Sequence, residues 1–181
     1  LPLSRTLRFR DTNIEGIDLV TAPTDFDGVL VDDKGRVSAS WSSFVLQSGG
    51  ESTQFNRGVG SEVLVQFLET VIADRPFYSL EAEFVYAPLF AARKMGVDED
   101  WLARLEKNNP QRRRALSVTR LVADTDAAGK LKNGDLVLAI DDEVVSTYRA
   151  LENAVQKPRV KVTTWRNDDV QELNIETAAL T

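Results

Sequence analysis

The chain contains no cysteine, which excludes disulfides, thiolate nucleophiles and cysteine metal sites, and leaves the redox compartment open. It also contains no histidine. That removes the usual general base of serine and cysteine hydrolases and the commonest transition-metal ligand, so a conventional catalytic triad cannot be assembled from these residues alone. No apolar run approaches the length of a membrane span. The start, Leu1-Pro2-Leu3-Ser4-Arg5, lacks an initiator methionine and any signal-peptide pattern, and reads as a cut inside a longer protein. A net charge of −6 argues against general affinity for nucleic acid or anionic lipid. The run Arg112-Arg113-Arg114 is the basic exception, and it reads as a solvated loop.

What is present is a soluble-protein composition, 43% hydrophobic and 28% charged, over 181 residues, enough for one large domain or two small ones. Strand-like alternation runs through Thr6–Arg10 and Ile14–Val20. A hairpin follows: Gly28–Val31 leads into the turn Asp32-Asp33-Lys34-Gly35, and Arg36–Trp41 returns. Gln47–Thr53 is expected as a polar loop. Ser61 is placed as the cap of a helix carrying Val63, Leu64, Phe67, Leu68, Val71 and Ile72 at helical spacing, stopped by Arg75-Pro76. This Pro marks a domain boundary, giving domains 1–76 and 77–181.

Beyond it, Leu80–Tyr86 reads as a strand, Pro88–Met95 as a helix, and Asp98 as the start of a second helix with Trp101, Leu102 and Leu105. Strands are expected at Ala115–Val122 and Asp135–Ile140, a helix near Thr147–Val155 with Tyr148, Leu151 and Val155 on one face, and a closing hairpin, Val160–Arg166 with Val170–Glu176.

The series Ala127-Ala128-Gly129-Lys130-Leu131, then Asn133-Gly134-Asp135-Leu136-Val137-Leu138-Ala139-Ile140-Asp141-Asp142, resembles the signature of PDZ domains in HtrA/Deg serine proteases. Gly129 and Gly134 suit tight turns, and Leu136, Val137, Leu138 and Ile140 suit a largely buried strand. The resemblance implies a domain that adds an extended peptide as a strand beside a helix. By position, the carboxylate-binding loop falls on Ser79, Leu80, Glu81 and Ala82. The receiving strand is Glu83, Phe84, Val85 and Tyr86, and the groove helix presents Tyr148, Leu151 and Val155. The same apolar residues would equally suit a plain core. The family carries Gly where this chain has Glu81, whose charge would repel a terminal carboxylate, so internal segments are the expected occupants.

Thr24-Asp25-Phe26-Asp27-Gly28-Val29-Leu30-Val31 resembles the stretch around the catalytic serine of the same proteases, with Phe26 at the nucleophile's position. Phe55–Gly60 and the helix after it resemble the late strand and C-terminal helix of that barrel. The implied fold is mainly β with α: a partial trypsin-like β-barrel followed by an HtrA-type PDZ domain, similar to the large HtrA-like proteins with a second, degenerate protease domain. No catalytic residue, cofactor or metal site is expected. The acidic clusters lie where turns and helix caps favour carboxylates, and Trp41, Phe44, Phe55 and Phe67 suit a packed barrel core. The implied function is peptide or unfolded-segment binding for substrate capture, regulation or assembly. Other domains of the same protein are further partners, a homo-oligomer is expected, and the compartment would be periplasm or cell envelope in a bacterium. The alternative is a component of an active endopeptidase whose catalytic residues lie outside the chain.

Overall fold

A computed structural model describes residues 13–20, 27–48 and 51–180. In it the chain divides between Arg75 and Pro76 into two units.

The first unit is an antiparallel sheet followed by a helix. Its strands are β1 (Gly16–Leu19), β2 (Gly28–Val31), β3 (Val37–Ser48) and β4 (Glu51–Gly60), in the order β1-β4-β3-β2; the helix is α1 (Ser61–Ile72). Asp32 sets the β2–β3 turn. Its Oδ1 accepts the N–H groups of Lys34 and Arg36, both at 2.9 Å, while Gly35 takes the left-handed conformation that closes the turn. Gly28 is required by close approach, since a Cβ there would stand 2.9 Å from the indole nitrogen of Trp41.

Several expectations change here. Within the loop placed at Gln47–Thr53, the described residues are instead strand: β3 runs to Ser48, β4 begins at Glu51, and the two pair there. Backbone pairing there overrides the loop preference of the polar sequence. Ser61 is the first helical residue and Gly60 the cap, with no side-chain capping bond. The described strands form an open sheet. Phe67 does not join a core: it is 58% exposed, and Leu64, Leu68, Val71 and Ile72 are exposed with it. The half-buried positions of α1 are Ser61, Val63, Gln66 and Thr70, so the broad apolar side is left outward. The expected strand at Thr6–Arg10 and the nucleophile position Phe26 lie outside the described residues.

The second unit is built on a sheet with two cores. Its elements are β5 (Phe77–Ser79), β6 (Ala82–Pro88), α2 (Leu89–Lys94), α3 (Glu99–Asn108), β7 (Arg114–Leu121), α4 (Asp126–Lys130), β8 (Leu136–Ile140), β9 (Glu143–Val144), α5 (Tyr148–Ala154), β10 (Arg159–Arg166), β11 (Asp169–Glu176) and β12 (Ala178–Leu180). The sheet order is β11-β10-β8-β7-β6, β9 extends β8, and β12 pairs with β5. Every residue of β8 is buried, because it is covered on both faces. Leu136 and Leu138 pack with Leu89, Leu102, Leu105 and Trp165 from the α2–α3 side. Val137 and Ile140 pack with Leu116, Leu131, Leu151 and Val155 from the α4–α5 side.

Turn chemistry fixes the connections. Asp98 caps α3, its Oδ1 accepting the Trp101 N–H at 2.8 Å. Gly134, Asp141, Asp142, Asn167 and Asp168 all take positive φ, the conformations that let β8 and the β10–β11 hairpin turn tightly. Gly129, expected in a turn, lies instead within α4, a helix capped by Thr125 through the Ala128 N–H.

Asp126 ties α4 to the sheet. Its Oδ2 accepts Lys130 Nζ at 2.8 Å and the Glu176 N–H at 2.7 Å. These bonds, that of Lys130 foremost, hold its carboxyl below the usual carboxylate range. A depressed folded pKa adds stability above the unfolded value of about 3.9 and loses it as pH falls through the folded value. Asp126→Asn is therefore expected to cost about 1 kcal/mol at neutral pH and to flatten the stability loss below about pH 4. Urea titrations of both proteins across that range check this, and parallel curves would contradict it.

Candidate functional site

The loop joining β5 to β6 is held by its own side chains. Ser79 Oγ accepts the Glu81 N–H at 2.9 Å, and Glu81 C=O accepts the Val122 N–H at 2.9 Å. Glu81 sits at φ +52°, a conformation that costs a residue with a Cβ about 1 kcal/mol or more. The loop thus holds at Glu81 a conformation that favours glycine, with a carboxylate attached. Leu80 and Ala82, on either side of Glu81, are buried.

From this loop β6 runs outward along the sheet, and among the described residues it is the last strand in the order. Its side chains alternate. Ala82 and Phe84 enter the core that holds Leu151 and Val155, and Tyr86 packs at the edge of that core. Glu83 and Val85 take the other side: Glu83 Oε1 accepts Arg120 Nη1 at 2.8 Å, and Val85 is exposed.

Helix α5 lies beside these residues. Thr147 caps it through the Ala150 N–H, and Tyr148 stands with its ring centroid 4.3 Å from that of Tyr86. The Tyr148 N–H donates to Tyr86 Oη at 3.4 Å. Past the other end of the helix, Gln156 spans to β5, its Oε1 accepting the Tyr78 N–H at 3.1 Å and its Nε2 donating to Tyr78 C=O at 2.8 Å. The helix is thereby fixed near both ends relative to the loop and β6.

The residues expected from sequence therefore sort by burial. Leu151 and Val155 are fully buried and Leu80, Ala82 and Phe84 nearly so. Their side chains are core, so a ligand would meet those side chains only if that core opened. The backbone of Leu80, Ala82 and Phe84, by contrast, lies along the loop and β6. Ser79, Glu81, Glu83, Tyr86 and Tyr148 are half-buried and Val85 is exposed. Two residues were missed. Gln156 left no signal, since a lone glutamine after a helix has no pattern. Arg114 was read as part of a solvated basic loop; it opens β7 instead, with its guanidinium 3.9 Å above the Tyr86 ring. Among the described residues, no group of three acidic side chains converges as metal ligands would.

No family model matches the chain. It is 34% identical over 170 residues to Protease Do-like 7 of Arabidopsis thaliana, covering 82% of this chain and 16% of that protein. It is 30% identical over 160 residues to the pro-apoptotic serine protease NMA111 of Eremothecium gossypii, covering 86% of this chain and 16% of that protein. Among solved structures, the HtrA-type protease AlgW with tripeptide matches at TM-score 0.52 and 20% identity, over 85% of this chain and 49% of that one. AlgW with decapeptide matches at TM-score 0.50 and 20% identity, over 85% and 45%. The chain thus spans 16% of the length of these curated relatives. By sequence and by fold, it belongs to the HtrA/Deg-type protease family.

Proposed function

We propose that this chain is a peptide-docking, non-catalytic piece of an HtrA/Deg-type serine protease. Residues 77–181 act as a PDZ domain, and residues 1–76 are the C-terminal part of a degenerate trypsin-like domain. The observation that carries the reading is β6 at the end of its sheet, beside α5 and just after the Ser79–Ala82 loop. That is the layout in which an extended peptide adds as a further strand, with backbone bonds giving affinity and side chains giving selectivity. AlgW has been solved with a tripeptide and with a decapeptide, and we carry that ligand class over to this chain.

The non-catalytic part of the reading rests on chemistry. The chain supplies no His or Cys, and Phe26 stands where the resemblance puts the nucleophile. Its role is then substrate capture, regulation or assembly, with unfolded segments or other domains of the same protein as partners. Self-association belongs to the same reading, supported by the outward apolar side of α1. The relatives' names favour one alternative: a component of an active serine endopeptidase whose catalytic residues lie elsewhere in the protein.

Titration of the isotope-labelled 181-residue chain with extended peptides tests the docking reading. Amide shifts are expected to cluster at Ser79–Tyr86 and around Tyr148, and amidated peptides should bind better than free acids. Glu81→Gly is expected to improve binding of the free acid about tenfold, as removal of one like charge a few Å away predicts, and to leave the amide unchanged. No shifts with any peptide, or shifts confined to other elements, would overturn the proposal.

A further inference from the structure

We infer that this docking surface is charge-polarised, and that Arg114 selects peptides carrying an Asp or Glu toward the N-terminal end of the docked segment. The inference rests on the docking reading above and adds the ligand's charge pattern. Arg114 opens β7 opposite Pro88, the last residue of β6. It shares strand parity with Leu116 and Val118, whose side chains lie in the α5-side core, so it stands on the face that α5 covers. Its guanidinium lies over the Tyr86 ring, which in turn meets Tyr148.

A guanidinium stacked on a ring uses its face. Its in-plane N–H groups stay directed sideways, where a carboxylate accepts two of them at once. Arg114 keeps that capacity. Its Nε is buried without a hydrogen-bond partner, but the residue as a whole is only half-buried, so its terminal nitrogens are the ones a docked carboxylate meets. Among the described residues no carboxylate pairs with it. The surrounding arginines differ: Arg113 pairs with Glu106 at 2.9 Å and Arg120 with Glu83 at 2.8 Å. Arg112, two positions before Arg114, is exposed and adds positive potential at the same end.

The opposite end carries the opposite sign, through Glu81 in the loop. A peptide laid antiparallel on β6 has its C-terminal side by Glu81 and its N-terminal side by Pro88 and Arg114. At about 3.3 Å per residue, Tyr86 lies roughly 16 Å from Glu81 along the strand. The selected acidic residue therefore stands about five positions upstream of the residue beside Glu81.

Fluorescence anisotropy on the 181-residue chain, with three amidated peptides identical except for Asp, Asn or Lys at that position, reads the effect. The Asp peptide is expected to bind about tenfold tighter than the Lys peptide, with Asn between, and high salt should narrow the gap. Arg114→Gln should erase the ranking, bringing the three peptides to a common affinity. Arg112→Gln should narrow it only about twofold. Equal affinities for all three peptides would overturn the charge inference and leave docking standing. A ranking that survives in Arg114→Gln, with circular dichroism showing the variant folded, would overturn the assignment to Arg114. Binding of none would remove the docking reading, and this inference with it.

Discussion

Arg166→Ala is expected to lower the unfolding free energy of the second unit by about 3–5 kcal/mol, the scale on which removing one partner of a buried ion pair acts. Arg166 grips Asp135 with two parallel bonds, Nε to Oδ1 at 2.7 Å and Nη2 to Oδ2 at 2.5 Å. The Asp135 side chain is 1% exposed and that of Arg166 19%. Asp135 also accepts the Lys132 N–H at 2.8 Å, while Arg166 donates to Lys130 C=O at 2.8 Å and to Gln171 Oε1 at 3.0 Å. One residue pair therefore joins the end of α4, the turn before β8 and the β10–β11 hairpin. The hydrogen bond to Asp135 raises the pKa of Arg166 further above its already high value, so the charge persists throughout the working pH range.

Alanine at 166 leaves the Asp135 carboxylate inside the protein with a single backbone donor, and that desolvated charge is the main cost. Asp135→Asn should cost less, because the amide oxygen can still accept from Lys132. The double variant Asp135→Ala/Arg166→Ala should fall well short of the sum of its single changes, since no buried charge is left behind. Urea denaturation followed by far-UV circular dichroism measures all of these. A loss under about 1 kcal/mol for Arg166→Ala would show the pair to be solvated.

Leu151→Ala should be nearly as damaging, at about 2–5 kcal/mol. Leu151 is fully buried among Leu116, Leu131, Val137 and Val155, so truncation both loses apolar contact and opens a cavity that the two-sided core cannot easily fill. The value also decides between two roles. A leucine lining an open groove would lose only part of its burial on truncation, and the change would cost about 1 kcal/mol or less. Tyr148→Ala, at a half-buried position, should fall toward the lower figure. If Leu151→Ala left stability unchanged but weakened peptide binding, Leu151 would be groove wall rather than core.

The same residue shows where sequence reading runs out. Tyr148, Leu151 and Val155 recur on one helix face whether that face meets a ligand or a sheet, and periodicity carries no information on which. Elements fixed by local chemistry were legible: α3 from its Asp98 cap, the β10–β11 turn from Asn167 and Asp168, and β8 from an unbroken apolar run. Elements fixed by distant pairing were not. β12 exists because it meets β5, and β4 reaches back to Glu51 because β3 continues opposite it. Helix α4 was hidden by Gly129, whose turn preference gives way to the Thr125 cap and the Asp126 tether. At the candidate site, Glu81 was readable as a departure from glycine, whereas Arg114 was concealed within a basic run that sequence alone cannot divide into solvated and stacked members.

The pairing of β5 with β12 sets an order of events during synthesis. Phe77 is matched to Leu180, so the strand leading into the candidate loop, though tied earlier to Gln156 through Tyr78, has no strand partner until roughly a hundred further residues have left the ribosome. The β10–β11 hairpin, with its tight turn, can form well before then. A nascent chain that has emerged only as far as Thr177 would therefore hold much of its sheet yet leave Phe77–Ser79 without its strand partner and more open to proteases, and emergence of Ala178–Leu180 would complete that pairing late.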